Sequence, residues 1–288
     1  MIAITGANGQ LGRLVIKALL DRTPANTLIA IVRDKNTVAD LAALGVTVRE
    51  ADYDQPQSYV AALAGVEKLL LISSNAIGRR VPQHQAVINA AKQQGVRLLA
   101  YTSILHADSS PLQLASEHKA TEALIVQSGV PYVLLRNGWY NENYTAGVSN
   151  VIAHGALLGV ADQGELFTAA RYDYAEAAAV VLTTAQHDNQ VYELAGDFGF
   201  SLSEFAALIA TASKQAIATQ FMSEAQYTDF LTQVGLPYDF AALLADAEQQ
   251  AKSGWLAERS GTLSRLLGRP TTPITVSIDN ALSASPAA

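Results

Sequence analysis

Near the start the chain reads Thr5-Gly6-Ala7-Asn8-Gly9-Gln10-Leu11-Gly12, three glycines spaced G-x-x-G-x-x-G. Such a run can hold a diphosphate. Gly6 permits a tight strand-to-helix turn, Gly9 carries no β-carbon to keep a pyrophosphate off the main-chain N–H groups, and Gly12 lets the following helix pack closely on the sheet. The partial positive charge at a helix N-terminus favours the bound anion. Three glycines alone say little. The reading depends on a strand before Gly6 and a helix after Gly9. A nucleotide triphosphatase loop is excluded by residue type: Leu11 stands where a glycine is required, and no Lys-Ser/Thr pair follows.

The second candidate is the turn Ile31-Val32-Arg33-Asp34-Lys35. At the end of a second strand, an acid hydrogen-bonds the ribose 2′-hydroxyl of NAD, whereas an arginine accommodates the 2′-phosphate of NADP. Arg33 is the first polar residue off the apolar run and offers a guanidinium fork; Lys35 adds charge, and Asp34 could serve a ribose instead. The position favours NADP(H), with NAD(H) still permitted. Asp52, ending a third apolar run, either approaches the adenine or caps the next helix. Thr102 and Ser103 end a fifth run, where they would lie beside a nicotinamide. Ser103, His106 and Asp108 do not read as a triad, because no nucleophile elbow is present. The five histidines, His84, His106, His118, His154 and His187, lack ligand spacing, so no metal is expected.

These residues need elements to position them. Runs rich in Val, Ile and Leu at 2–5, 28–32, 46–49, 68–72, 97–101 and 132–135 alternate with stretches of helical spacing, such as Leu11, Leu14, Val15, Ala18 and Leu19, or Val87, Ile88 and Ala91. Gly45, Gly65, Gly95 and Gly129 each close a helical stretch, where a left-handed cap is expected. The pattern predicts an α/β protein with a doubly wound, Rossmann-like parallel sheet. Beyond residue 155 the rhythm changes. A turn at 162–165, an alanine-rich helix at 174–183, a strand at 190–194, a Ser201/Glu204 capping box opening a helix, a strand at 218–222 and short helices follow. The expected organisation is a dinucleotide-binding domain over 1–155. Residues 156–288 would complete the sheet edge and form a smaller, mostly helical lobe, with a frayed tail at 283–288.

Half of the 288 residues are hydrophobic and 16% are charged, enough for a large core. The net charge of -7 disfavours a nucleic-acid partner. No run approaches 18 consecutive apolar residues, so no membrane span is expected, and Met1-Ile2-Ala3-Ile4-Thr5 reads as a strand and not as a secretory signal. The absence of cysteine removes disulfide, thiolate and iron–sulfur chemistry and suits a reducing, cytoplasmic setting.

Residues 5–12 and the run Leu134-Leu135-Arg136-Asn137-Gly138-Trp139-Tyr140-Asn141-Glu142-Asn143-Tyr144 resemble the NmrA-like branch of the atypical short-chain dehydrogenase/reductases, and within it the quinone-reducing members. The likeness continues through Ala51-Asp52-Tyr53, Leu71-Ile72-Ser73-Ser74, Tyr101-Thr102-Ser103 and Arg171-Tyr172-Asp173-Tyr174, over nearly the whole chain. The resemblance implies an NADP(H)-binding sheet and a small C-terminal lobe closing a cleft over the nicotinamide. It implies that residues 6–12 (Ala7, Asn8, Gln10 and Leu11 with the glycines) and Arg33 hold the adenosine diphosphate end. Ser73, Ser74 and Asn75 would pass the ribose and pyrophosphate. Asn137, Gly138, Trp139, Tyr140 and Asn143 would line the nicotinamide and substrate, with Asn137, Tyr140 and Asn143 nearest the chemistry. The rings of Trp139, Tyr140 and Tyr144 would stack on a planar quinone or else pack the lobe. Arg171 would reach cofactor phosphate or pair with Asp173 or Glu176.

Ordinary members of the superfamily carry Tyr-x-x-x-Lys on the helix after the fifth strand. With Glu122 setting the register, the lysine position here falls on His118 and the tyrosine position on Leu114. Lys119 is one residue off, turned by about 100° around the helix. A ketone needs a general acid as hydride arrives. A quinone does not, because hydride addition leaves an aromatic, delocalised hydroquinone anion. The resemblance and the missing dyad together imply NADPH-dependent reduction of a small-molecule quinone by direct hydride transfer, without flavin. The alternative is a non-catalytic NADP(H) redox sensor. No protein partner is indicated.

Overall fold

The structure is a computed structural model that describes residues 1–160 and 163–284. The start of the turn read at 162–165 and the end of the tail, 285–288, lie outside the described residues. The first elements in chain order are β1 (Ile2–Ile4), α1 (Gln10–Leu20), β2 (Leu28–Val32), α2 (Ala39–Ala43), β3 (Thr47–Glu50), α3 (Pro56–Ala62), β4 (Lys68–Leu71), α4 (Arg80–Gln93), β5 (Leu98–Ile104), α5 (Ala115–Ser128) and β6 (Tyr132–Asn137). There follow α6 (Asn141–Thr145), α7 (Val148–His154), β7 (Ala156–Gly159), α8 (Arg171–Thr183) and β8 (Gln190–Leu194). The last are α9 (Leu202–Ser213), β9 (Ala218–Phe221), α10 (Glu224–Gln233), α11 (Tyr238–Ala251), α12 (Thr262–Leu267) and α13 (Ile274–Ala284).

Two compact units result. The first comprises Met1–Asp108, Ala115–Asn137 and Tyr172–Glu193; the second comprises Ser109–Leu114, Gly138–Arg171 and the chain from Leu194 onward. The expectation divides the chain near residue 155, with the later residues completing the sheet edge. In the structure the chain leaves the first unit for Ser109–Leu114 and again after Asn137, and returns with α8 and β8. The reason is that β6 needs a neighbour on its open side, and β8 supplies it.

The sheet runs β3-β2-β1-β4-β5-β6-β8. β1 to β6 pair in parallel, with Ile2 opposite Leu28 and Lys68, Ile29 opposite Thr47, Lys68 opposite Leu98, and Leu99 opposite Tyr132. At the other edge Asn189 donates its N–H to Tyr132 O, and Gly138 donates to Leu194 O, each at 2.7 Å. β8 therefore follows the direction of β6. Every residue of β2 and β5 is buried, as expected of parallel strands covered on both faces. Ile29, Leu69 and Leu99 pack with Val87, Ile88 and Ile125 in the core. The strand order reverses between β1 and β4, the switch point at which doubly wound sheets open a crevice along their carboxyl edge.

In the second unit β7 and β9 form a parallel pair. Ser201 and Glu204 make the expected capping box: Glu204 donates its N–H to Ser201 Oγ (3.2 Å), and Ser201 donates its N–H to Glu204 Oε2 (2.7 Å). Asn141 is fully buried. Its Nδ2 donates to Thr272 O (3.2 Å) and Ser277 Oγ (2.9 Å), while Oδ1 accepts from Thr168 Oγ1 (2.5 Å). Among the described residues, no helix is long and apolar enough to cross a membrane.

Gly12 is the tightest point of the first turn. A Cβ there would overlap the Gly6 carbonyl oxygen and lie 2.8 Å from Ala7 Cα, both main-chain atoms that cannot swing away. The close packing expected against the sheet is thus packing against the loop itself. Gly12→Ala is expected to destabilise the protein by about 1–3 kcal/mol, read as a lowered thermal midpoint. An unchanged midpoint would show that the loop yields to the methyl group.

Candidate functional site

Gly6 turns the chain at the end of β1 with φ +59°, a left-handed conformation that glycine adopts without a Cβ penalty. Of the loop donors, Ala7 gives its N–H to Ile31 O (3.3 Å), Gly9 to Gly6 O (2.9 Å) and Arg13 to Gly9 O (3.0 Å). The N–H groups of Gln10, Leu11 and Gly12, at the head of α1, have no partner among the described residues, and no side chain caps this helix. A helix head left open in this way can receive the oxygens of an anion. Asn8 is held in place from α1, where Arg13 Nη2 donates to Asn8 Oδ1 (2.8 Å) and Arg13 Nη1 meets Asp40 Oδ2 (2.6 Å).

At the end of β2 the structure separates three residues that the sequence left undecided. Asp34 Oδ1 accepts the N–H and the Nδ2 of Asn36, both at 2.9 Å, so its carboxylate serves the local turn. Lys35 pairs with Glu50 (3.9 Å). Arg33 is exposed, and its side chain makes no hydrogen bond or ion pair among the described residues. Asp52 does not cap α3; its Oδ1 accepts the N–H of Asp54 (3.0 Å) and closes the turn before that helix.

The segment after β4 is laced to its neighbours. Ile72 donates its N–H to Thr5 Oγ1 (3.0 Å), and Ser73 donates to Thr102 Oγ1 (2.8 Å). Ser74 departs from the expectation that it faces a cofactor. It is buried; its N–H goes to His84 Nε2 (2.9 Å), its Oγ to Gln83 Oε1 (2.5 Å), and its carbonyl accepts Arg80 Nε (2.5 Å). All three bonds come from one face of α4, which turns the side chain inward. Asn75 is exposed, and Ser73 is half-buried.

Behind this segment lies a polar cluster that sequence reasoning missed. His84 Nδ1 meets Thr121 Oγ1 (2.9 Å), while His118 Nδ1 meets the Tyr101 hydroxyl (2.8 Å) and its Nε2 faces Arg80 Nη1 (3.3 Å). Burial, with the Arg80 charge adding to it, pushes His84 down to about 3 and His118 well below its ordinary value. Both imidazoles are neutral. A signal was available: the apolar stripe Val87, Ile88 and Ala91 continues backwards at helical steps through His84, Gln83 and Arg80.

The end of β6 is fixed by a buried arginine. Arg136 forks onto Glu122 (Nε to Oε1 3.0 Å, Nη2 to Oε2 2.7 Å), and its Nη1 reaches Glu193 (2.8 Å) and Asp108 (3.1 Å). Burial opposes the charge, but the carboxylates outweigh it and raise the arginine above its ordinary value. Ser103 donates to the same Glu122 (2.5 Å), so it belongs to this structural cluster. The next residue, Asn137, carries a buried Oδ1 with no hydrogen-bond partner among the described residues. An orphaned buried acceptor is costly and calls for a donor.

In the second unit, Gly138 is buried and Trp139 and Tyr140 are half-buried. The Arg171 guanidinium lies 4.8 Å over the Tyr140 ring, and the main-chain N–H of Arg171 donates to the Glu142 carboxylate (2.9 Å). Asn143 is exposed, whereas Tyr144 packs edge-on against Phe200 and Phe205, at 6.0 and 5.9 Å. Of the two readings for Tyr144, packing within the lobe is the one observed.

The residues present fit a dinucleotide: open amides at a helix head for a diphosphate, a free guanidinium at the end of β2, and an unpaired acceptor at the end of β6. Comparison with known proteins agrees. An NAD(P)H-binding family matches residues 6–188. Quinone oxidoreductase 2 of Escherichia coli is 50% identical over 97% of this chain and 98% of its own length. The crystal structure of the NADPH-dependent quinone oxidoreductase from Escherichia coli, complexed with NADPH, superposes with a TM-score of 0.96 at 49% identity, covering 98% of this chain and 100% of that one. A triphenylmethane reductase from Citrobacter sp., complexed with NADP(H), is similar at 36% identity and TM-score 0.94, over 98% and 100% of the two chains.

The neutral His84 has a consequence for acid stability. Its folded value of about 3 lies below the ordinary 6.5, so the unfolded chain binds a proton across that window which the folded chain refuses. Stability is whole above pH 6.5 and declines as pH falls towards 3, by up to about 1.4 kcal/mol per pH unit for one such histidine. His84→Gln keeps hydrogen-bonding capacity without titrating there. Its urea-unfolding free energy should decline less steeply between pH 6.5 and 4 than that of the wild type. Equal slopes would remove His84 as the source.

Proposed function

The chain belongs to the NAD(P)H-binding, NmrA-like family, and from that premise we propose that it is an NADPH-dependent quinone reductase working by direct hydride transfer. The observation that carries this reading is the fate of His118. At the position where ordinary short-chain enzymes place their lysine, it is 4% exposed, neutral and committed to Tyr101 and Arg80. It offers no acid to a substrate. The substrate class that fits is one whose product anion is delocalised, and a quinone meets that condition.

NADPH, when bound, supplies the hydride. The open amides of Gln10, Leu11 and Gly12 would hold its diphosphate, Arg33 the 2′-phosphate, and Asn137 Oδ1 the carboxamide N–H, which is a donor where the protein lacks one. Ser73 and Asn75 would pass the ribose and pyrophosphate with main-chain groups pinned by Thr102, while Ser74 acts from behind. Tyr140 and Asn143 are the proposed contacts for the quinone, the Tyr140 ring being held from one side by Arg171. The same reading has NADP(H) preferred over NAD(H), needs no flavin or metal, and suits a reducing, cytoplasmic setting for a chain without cysteine.

Purified protein mixed with NADPH and a simple benzoquinone should consume NADPH well above the uncatalysed rate. Consumption at background would favour the redox-sensor alternative. Arg33→Ala should weaken NADPH binding on the order of ten- to a hundredfold and leave NADH binding almost unchanged; equal losses for both would contradict the 2′-phosphate assignment.

A further inference from the structure

Two arginines are buried in the first unit, and their charges are treated differently. Arg136 is surrounded by Glu122, Glu193 and Asp108. Arg80, 8% exposed, makes no ion pair among the described residues. Its guanidinium meets the Ser74 carbonyl through Nε and His118 Nε2 through Nη1, both uncharged partners. The adjacent acid, Glu117, gives its carboxylate to the main-chain N–H groups of Gly78 and Arg80 at 3.1 Å each, capping the head of α4. His84, Tyr101 and Thr121, which complete the surroundings, are neutral at pH 7. A buried cation without a direct ion pair is expensive, and burial pulls this arginine below its ordinary value although the nearby Glu117 charge opposes that shift. The charge lies directly behind the main chain of residues 73–75, after the strand at the switch point of the sheet.

We propose that Arg80 is the standing counter-charge for the dinucleotide's diphosphate, a positioning residue that acts through the Ser74 main chain and its own buried charge without touching the cofactor. The proposal rests on the reading above that residues 73–75 pass beside the bound dinucleotide. It assigns Arg80 a role distinct from that of Arg33. The diphosphate is common to NADPH and NADH, so Arg80 serves both, whereas Arg33 serves the 2′-phosphate of NADPH alone. A unit charge near an anion in a partly buried site changes affinity on the order of tenfold.

The test is titration of the full chain with NADPH and with NADH at low and high salt, followed by calorimetry. Arg80→Gln should weaken binding of both dinucleotides on the order of tenfold and flatten the dependence on salt. Arg80→Lys, which keeps the charge but loses the Nε bond, should recover most of the affinity and the salt dependence. His118→Glu covers the case in which Arg80→Gln does not fold. It places a carboxylate against the guanidinium and should weaken binding as Arg80→Gln does, while the thermal midpoint of the free protein holds or rises. Three results would overturn the proposal: wild-type affinities and salt dependence in the folded Gln and Glu variants, a loss confined to NADPH, or a Lys variant as weak as the Gln variant. If the wild type bound neither dinucleotide, the proposed function would fall as well, so the two failures are told apart.

Discussion

Main chain that runs off the carboxyl edge of a parallel sheet loses its strand partners, and each amide must find another acceptor or stay open. After β4 the substitutes are built in: Thr5 takes the N–H of Ile72, Thr102 that of Ser73, and His84 that of Ser74. After β1 the Ala7 and Gly9 N–H groups find main-chain acceptors, but three consecutive amides at the head of α1 have no partner among the described residues. One loop left open between closed neighbours is what makes this edge the candidate site. The closed neighbours need polar side chains inside the fold, which accounts for the histidines, arginine and glutamine behind them.

That arrangement also explains what the sequence revealed and what it concealed. β2 falls where the apolar run at 28–32 placed it, because a strand buried in a covered sheet declares itself by composition, and β8 falls at 190–194 as read, although only Leu194 of it is buried. Gly45, Gly65, Gly95 and Gly129 take φ between +69° and +88°, as caps should. The inward faces of α4 and α5 were harder to read. Arg80, Gln83 and His84 on one, with His118, Thr121 and Glu122 on the other, interrupt the apolar periodicity by which a buried helix face is recognised. β9 is legible as a strand, but its partner β7, which follows α7 after a single residue, is not.

Within the site, residue type located the glycine loop, but side-chain direction decided the rest. Arg33 and Asp34 are adjacent, and only the bond from Asn36 to the Asp34 carboxylate shows which of them is left free. Ser73 and Ser74 look equivalent in sequence. At a strand end one step along the chain reverses the direction in which a side chain points, and the second serine is drawn inward by α4. Asn137 owes its position to Arg136, whose planar fork gathers carboxylates from α5, from the loop after β5 and from β8. A lysine has no such fork with which to grip all three.

The Arg136 cluster ties the making of this edge to the order of translation. Asp108 and Glu122 precede the arginine, but Glu193 and the strand that carries it follow a long excursion of the chain through the second unit. A nascent polypeptide therefore displays β6, with Val133, Leu134 and Leu135, as an unpartnered edge until β8 arrives. Edges of that kind invite pairing with other chains. Between synthesis of residues 137 and 190 the unfinished molecule thus carries that edge without its strand partner.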